Sequence, residues 1–272
     1  MMFKKSFFII LFSACSAIAL AQPNAISHEA EIGISLGSAH YFGDMNRYRL
    51  NRPKPAAGIF FRKQFGSYVA LRASVHGARL GYADKYNTTP FERQRNLSFN
   101  TDLAEFALQG DFNFFKYLPG SPEYRFTPYV TFGVGAFSYD PTAFIPGGQD
   151  PNYDLNRHMT EGQAKPYAQS AICFPIGMGV KYNFYRNLNI GFEVVYRFTN
   201  TDYLDDVSTT YSDPSALMVG DPTYILRDRS LTLPMLGVTG KQRGFSQQKD
   251  RYVFAELTLS MSFNSYKCAE IQ

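Results

Sequence analysis

The residues of this chain whose types could do chemistry are few. Four histidines, His28, His40, His76 and His158, are scattered, and none stands in a metal-binding H-E-x-x-H pair or a nucleophile elbow. Cys173 and Cys268 lie far apart, in neither a redox C-x-x-C nor a zinc-ligand pattern. One disulfide between them is conceivable after export. Gly133-Val-Gly135 and Gly177-Met-Gly179 carry glycine at every second position, which suits a strand face and not a phosphate-cradling loop. The densest acidic group is Asp202, Asp205 and Asp206. Three carboxylates in five positions could hold calcium, but they lack the regular spacing of a loop site. The plainer reading makes them caps, turns and partners of loop arginines such as Arg47 or Arg49. No cofactor, metal or catalytic residue is expected, and the chain reads as a non-enzyme.

What would position these residues follows from composition. The 272 residues are 45% hydrophobic, 16% aromatic and 18% charged, with Phe 25, Tyr 19 and no Trp. That aromatic load excludes disorder. Lys4 and Lys5 precede an apolar stretch from Phe7 that ends on Ala19-Leu-Ala21, so residues 1–21 read as a signal peptide cleaved before Gln22. Ser13 and Ala14 before Cys15 offer a lipoprotein alternative, weakened by Phe12 and a short apolar run. Without the two leader lysines the formal charge falls from +4 to +2, which is no nucleic-acid signal.

Beyond the leader, alternation with a period of two dominates. Eight strands are expected, beginning near Glu29, Ala56, Tyr68, Leu97, Phe126, Ala171, Leu188 and Arg251, the last ending at Phe263. One face of each is large and apolar: Phe106, Leu108, Phe132, Phe174, Phe192 and Leu257 belong to it, as do Val253, Leu259 and Met261 of the final strand. The other face is small or polar, with Glu31, Arg62, Arg72, Glu105, Asp111, Lys181, Glu193, Arg197 and Glu256 as isolated charges.

The connections alternate in length. Gly66-Ser67, 116–125 and 185–187 are short or moderate; 43–55, 84–96, 140–170 and 200–250 are long. An even strand number with short turns at one end and long loops at the other is the signature of an all-β, eight-stranded antiparallel transmembrane barrel of outer-membrane type. Residues 22–263 are expected to form it, with both termini and a tail, 264–272, in the periplasm. The small-residue face then lines a narrow lumen, where charges of both signs pair and plug the barrel. Phe65, Phe112, Phe114, Phe126, Phe184 and Phe263 gather near the short turns as an interfacial girdle. His76 is expected in the lumen near the outer end of the third strand; a hydrolase site there is the chemical alternative to plain hydrogen bonding. A soluble barrel with the faces reversed is the alternative fold.

Two stretches carry a family resemblance: Glu31-Ile-Gly-Ile-Ser-Leu-Gly-Ser-Ala-His-Tyr-Phe-Gly-Asp-Met-Asn46 and Tyr196-Arg-Phe-Thr-Asn-Thr-Asp-Tyr-Leu-Asp-Asp-Val-Ser208. They resemble the PorG-like (DUF6089-like) outer-membrane β-barrels of type IX secretion and gliding in Bacteroidota. The motif Thr201, Asp202, Tyr203, Leu204, Asp205, Asp206 is the more specific. The resemblance implies a non-enzymatic secretion component that meets outer-membrane lipid and a periplasmic ring of a PorK-like lipoprotein and a PorN-like protein. Only the short turns and the tail would reach such a ring, which makes Lys116, Glu123, Arg125, Arg186, Lys267 and Cys268 the candidate contacts. A general OmpA-like or OmpW-like barrel and a lipid-modifying barrel enzyme are the competing expectations.

Overall fold

The computed structural model describes residues 29–47, 49–145, 152–215, 217–231 and 235–264. The expected signal peptide and the tail residues Lys267 and Cys268 lie outside the described residues. Eight long strands close into an antiparallel barrel: β1 (Glu29–Phe42), β2 (Lys54–Phe65), β3 (Val69–Ala83), β4 (Ser98–Asn113), β5 (Phe126–Ala143), β7 (Ser170–Tyr185), β8 (Leu188–Thr199) and β9 (Arg251–Asn264). β6 (Tyr153–Asp154) is a two-residue strand in a loop, paired with the end of β5. Each long strand pairs with its sequence neighbour, and β1 pairs with β9 from Glu29↔Asn264 to Phe42↔Arg251, so no free edge remains. In hydrocarbon only such closure satisfies every strand N–H and C=O.

Alternation sorts the side chains as the pattern demands. On β7, Ile172, Phe174, Ile176, Met178, Val180, Tyr182 and Phe184 are exposed, whereas Cys173, Lys181 and Asn183 are buried inside. The other strands repeat this inversion, apolar outward and polar inward. It fits lipid and would be untenable in water. On β4 the outward apolar run from Ala104 to Phe114 gives a belt roughly 26 Å tall for strands tilted by about 40°. Above it the outward residues turn polar: Asp102 and Asn100 on β4, Ser138 and Asp140 on β5. Lys63 is a lone outward cation near the short-turn end of β2, where its stem can lie along apolar surface while the ammonium reaches water.

The strands overshoot the belt: β5 continues past its expected end to Ala143, and β1 runs to Phe42, where the expected loop 43–55 begins. Inside this projecting collar sits the hydrophobic core. Leu80, Tyr82, Phe99, Leu103, Phe137 and Tyr139 of the strands pack with Met45, Ile145, Leu155, Leu204, Val207 and Leu226 of the loops. The protein therefore has two solvents, lipid around its middle and water around a cap with a protein-like core. Val253, expected to face lipid, is covered; it lies in the collar, beneath bulky outward neighbours on β8 and β1. His76 stands midway along β3 and not near its outer end: β3 ends at Ala83, where the expected loop 84–96 begins, seven residues beyond it.

A charge at mid-belt should be costly and one at the collar cheap. Leu108→Arg is expected to destabilise the barrel by about 2–4 kcal/mol and Asn100→Arg by about 1 kcal/mol or less. Urea unfolding in lipid vesicles checks this, and equal effects would refute the placement of the belt.

Candidate functional site

The polar interior is built from strand positions that alternation forces inward, where a charge must find a partner or change its protonation. At the level nearer the short turns, Arg62 of β2 donates to Glu31 of β1 (2.9 Å) and Asp111 of β4 (2.7 Å). Arg72 of β3 reaches across the lumen to Glu193 of β8 at 2.6 Å, and the Tyr129 hydroxyl of β5 donates to the same carboxylate at 2.5 Å. Lys181 comes within 4.0 Å of Asp111 and sits over the Tyr129 ring. At the next level Glu105 of β4 is the hub. Arg197 of β8 approaches it at 3.3 Å, Tyr252 of β9 at 2.5 Å and His76 at 3.7 Å. His76 also lies 3.3 Å from Glu256. All nine charged residues singled out from the alternation are thus brought together in two tiers. Cys173 is buried as a free thiol beside Glu105, so it is not disulfide-bonded.

Tyr129, Tyr252, Gln109 and Thr131 belong to the same network and were missed as site residues. The inward parity that exposed the charges would have found them, since each lies an even number of positions from a charged lumen residue on its strand or a neighbour's register.

Among the described residues, side chains fold into both mouths. At the short-turn end Tyr117 folds back from the 116–125 turn and donates to Asn189 at 2.9 Å. Lys116 stands over the Tyr124 ring at 4.4 Å. Lys116, Glu123, Arg125 and Arg186 are otherwise spread around this rim, exposed or partly so. Arg186 adopts φ 43° in the two-residue turn between β7 and β8, and its carbonyl accepts from Asn183 at 2.8 Å.

At the long-loop end the acidic motif is structural. Neither Arg47 nor Arg49 pairs with it; Arg49 instead donates to Tyr86 and Thr88. The Tyr41 hydroxyl meets Asp205 at 2.5 Å and Asp250 at 3.1 Å. One hydroxyl has one proton to give, so the three-oxygen group is satisfied when one carboxyl is protonated and donates back. Burial raises both well above the usual carboxylate range, helped by the charge of Asp44 beside Asp205 and of Asp205 beside Asp250. Asp202 accepts from Ser208 (2.7 Å), and burial pushes it up to about 7. Asp206, also at about 7 through burial, accepts from Thr160 and Tyr167. Its backbone carbonyl and carboxylate take Arg243, which also pairs with Glu161 at 3.1 Å. Arg243 in turn gives its carbonyl to Arg95, which clasps Asp84 at 2.7 and 2.8 Å. Thr201 orders the turn by accepting from Tyr203 N–H, and Leu204 gives its carbonyl to Thr101 at 2.7 Å. Arg243, Glu161 and Asp84 sit in loops without periodicity, and nothing in the sequence paired them. Among the described residues no cluster of metal-ligating side chains has the arrangement to hold an ion.

Residues 4–223 match the family model described as a domain of unknown function, DUF6089. The chain belongs to the DUF6089 family. No curated protein matches it. Among solved structures the DUF6089 barrel is similar to the attachment invasion locus protein Ail of Yersinia pestis, at 12% identity and a TM-score of 0.43 over 87% of this chain and 99% of that one. It is also similar to the N-terminal β-barrel domain of OprF of Pseudomonas aeruginosa (14%, 0.39, 87% and 98%) and to Neisserial surface protein A (9%, 0.40, 86% and 96%). The barrel architecture stated above rests on the strand pairing of the chain itself.

The cap should respond to pH in a defined direction. Asp202 and Asp206 bind protons more tightly folded than unfolded, so their contribution is complete below about pH 4 and drains as pH rises through about 7. Hydrogen-exchange protection at Leu204 and Val207, whose amides bond Asp250 and Asp205, is expected to fall between pH 5 and 8. Asp202→Asn should flatten that fall; protection that rises with pH would contradict it. Removing Arg72 leaves Glu193 and Asp111 short of a cation, and Arg72→Ala is expected to cost about 3–5 kcal/mol in unfolding titrations.

Proposed function

We propose that this chain is a non-conducting outer-membrane barrel, both termini periplasmic, that acts as a non-enzymatic component of a type IX secretion apparatus. The observation that carries the first half is the sealed lumen. Arg72–Glu193 and Arg197–Glu105 join opposite walls at bond distance, and the collar above them is filled with side chains of a hydrophobic core. Among the described residues, a lumen bridged at these tiers and topped by a packed core disfavours a small-solute transporter of the OmpW kind. It also disfavours catalysis at His76, which is buried between two glutamates, away from the lipid face. What is left is a rigid scaffold that works through its two ends.

The second half is supported by the resemblance of Thr201–Ser208 to the PorG-like proteins. The cap gives that motif a physical role, since Asp205, Leu204 and Asp206 tie its loop to β1, to β4 and to the loop that carries Thr160. In this reading the periplasmic rim, with Lys116, Arg125 and Arg186 against Glu123 alone, contacts a ring of PorK-like lipoprotein and PorN-like protein. The tail residues Lys267 and Cys268 would extend the same surface.

Two measurements test it. The purified chain in planar bilayers is expected to show no steady conductance; a stable open channel would end the sealed reading. A deletion strain is expected to lose export of type IX cargo, and the chain to co-purify from detergent extracts with ring proteins. Normal export together with absence of those partners would reject the secretion assignment in favour of a purely structural barrel.

A further inference from the structure

The collar just above the lipid belt is not alike all round. On the β3–β4 sector the outward cation Arg79 is already paired with Asp102 at 2.7 Å, and on β5 the Asp140 carboxylate accepts from Gln169. On the β8–β9–β1 sector, register sets Phe198, Arg251 and Phe42 in one outward row, with Tyr196, Val253 and His40 in the row beneath. The Arg251 guanidinium lies 5.4 Å from the Phe198 ring centre. Phe42 stacks with Tyr196 at 6.2 Å and Tyr196 with Phe198 at 6.3 Å, and together they roof Val253, which is only 1% exposed. Arg251 is exposed, and among the described residues no carboxylate is within ion-pair reach of it.

We propose that this row binds the phosphate-bearing headgroup of a lipid in the outer leaflet. The assignment rests on the orientation given above, long loops outside. The row continues the lipid surface of the same three strands, Leu36, Ile34 and Ile32 on β1, Leu257 and Leu259 on β9, and Phe192 and Ile190 on β8. A ligand seated here would have its acyl chains on that surface and its headgroup at the collar. A guanidinium offers two parallel N–H donors to phosphate oxygens, and an aromatic neighbour holds its plane while leaving the fork free. Aromatic side chains at the junction of apolar and polar layers are suited to both parts of such a lipid. The other sector lacks this chemistry, because its arginine is spent on Asp102.

The experiment is native mass spectrometry of the full chain in detergent with bisphosphorylated lipid A, its dephosphorylated form and phosphatidylcholine as probes. Wild type is expected to retain bisphosphorylated lipid A. Arg251→Gln should retain it about tenfold less, the loss expected for one charge-assisted contact, while Arg79→Gln keeps wild-type retention. Arg251→Lys should fall between them. Heat-modifiable gel mobility confirms that each variant is folded. Equal retention by wild type and Arg251→Gln, or equal retention of the dephosphorylated lipid, overturns the proposal. Whole-cell labelling of Val219→Cys, at an exposed loop tip, with an impermeant thiol reagent tests orientation separately. Labelling supports the outer-leaflet assignment; no labelling, with the Arg251 effect intact, overturns that assignment and the orientation reading together.

Discussion

A charge taken out of water must be paired, and this rule organises the barrel from the inside. Alternation drives five carboxylates, Glu31, Glu105, Asp111, Glu193 and Glu256, into a space too narrow for bulk water. Arg62, Arg72, Lys181 and Arg197 meet the first four and His76 the fifth, and the Arg72–Glu193 and Arg197–Glu105 pairs also fix distances across the lumen. The shape of the barrel and the neutralisation of its interior are thus one problem with one solution. Glu105 illustrates the economy, accepting from β8 and β9 at once.

Outside the bilayer the logic reverts to that of a water-soluble domain. Apolar residues of the collar turn inward, loops supply the missing side of the core, and buried arginines cap loop carbonyls. Arg227, for example, donates to Ser212 and Gly237, closing the long fourth loop on itself. The acidic motif belongs to this half. Its carboxylates tolerate burial by accepting from hydroxyls and amides, and by keeping protons that exposed aspartates would lose.

Strand number, facing and closure were legible because a period of two over a dozen residues leaves no competing interpretation, and because a one-residue slip would send Arg62 into lipid. The nine lumen charges followed from the same parity. What the pattern could not give was anything above the belt. There Val253 keeps the parity of a lipid-facing residue yet is covered, and His76 lies lower than expected in a strand whose limits the pattern placed correctly. Loop arginines such as Arg47 or Arg49 were expected to pair with the acidic motif; Asp206 does take a loop arginine, but it is Arg243, and Asp205 takes Tyr41. Tyr41 is 164 residues from Asp205, and loop contacts at such separations leave no periodic trace.

The hydroxyl of Tyr41 and the carboxyl of Asp250 stand on opposite sides of the seam where the first strand meets the last, 209 residues apart. Their contact can exist only when that seam is zipped to its outer end. The cap is therefore a lock that engages after closure: a barrel arrested with β1 and β9 apart presents a collar with no lid, its apolar lining open to water. The state of the seam is thus written in the contacts of the cap, away from the lipid in which the strands must find one another.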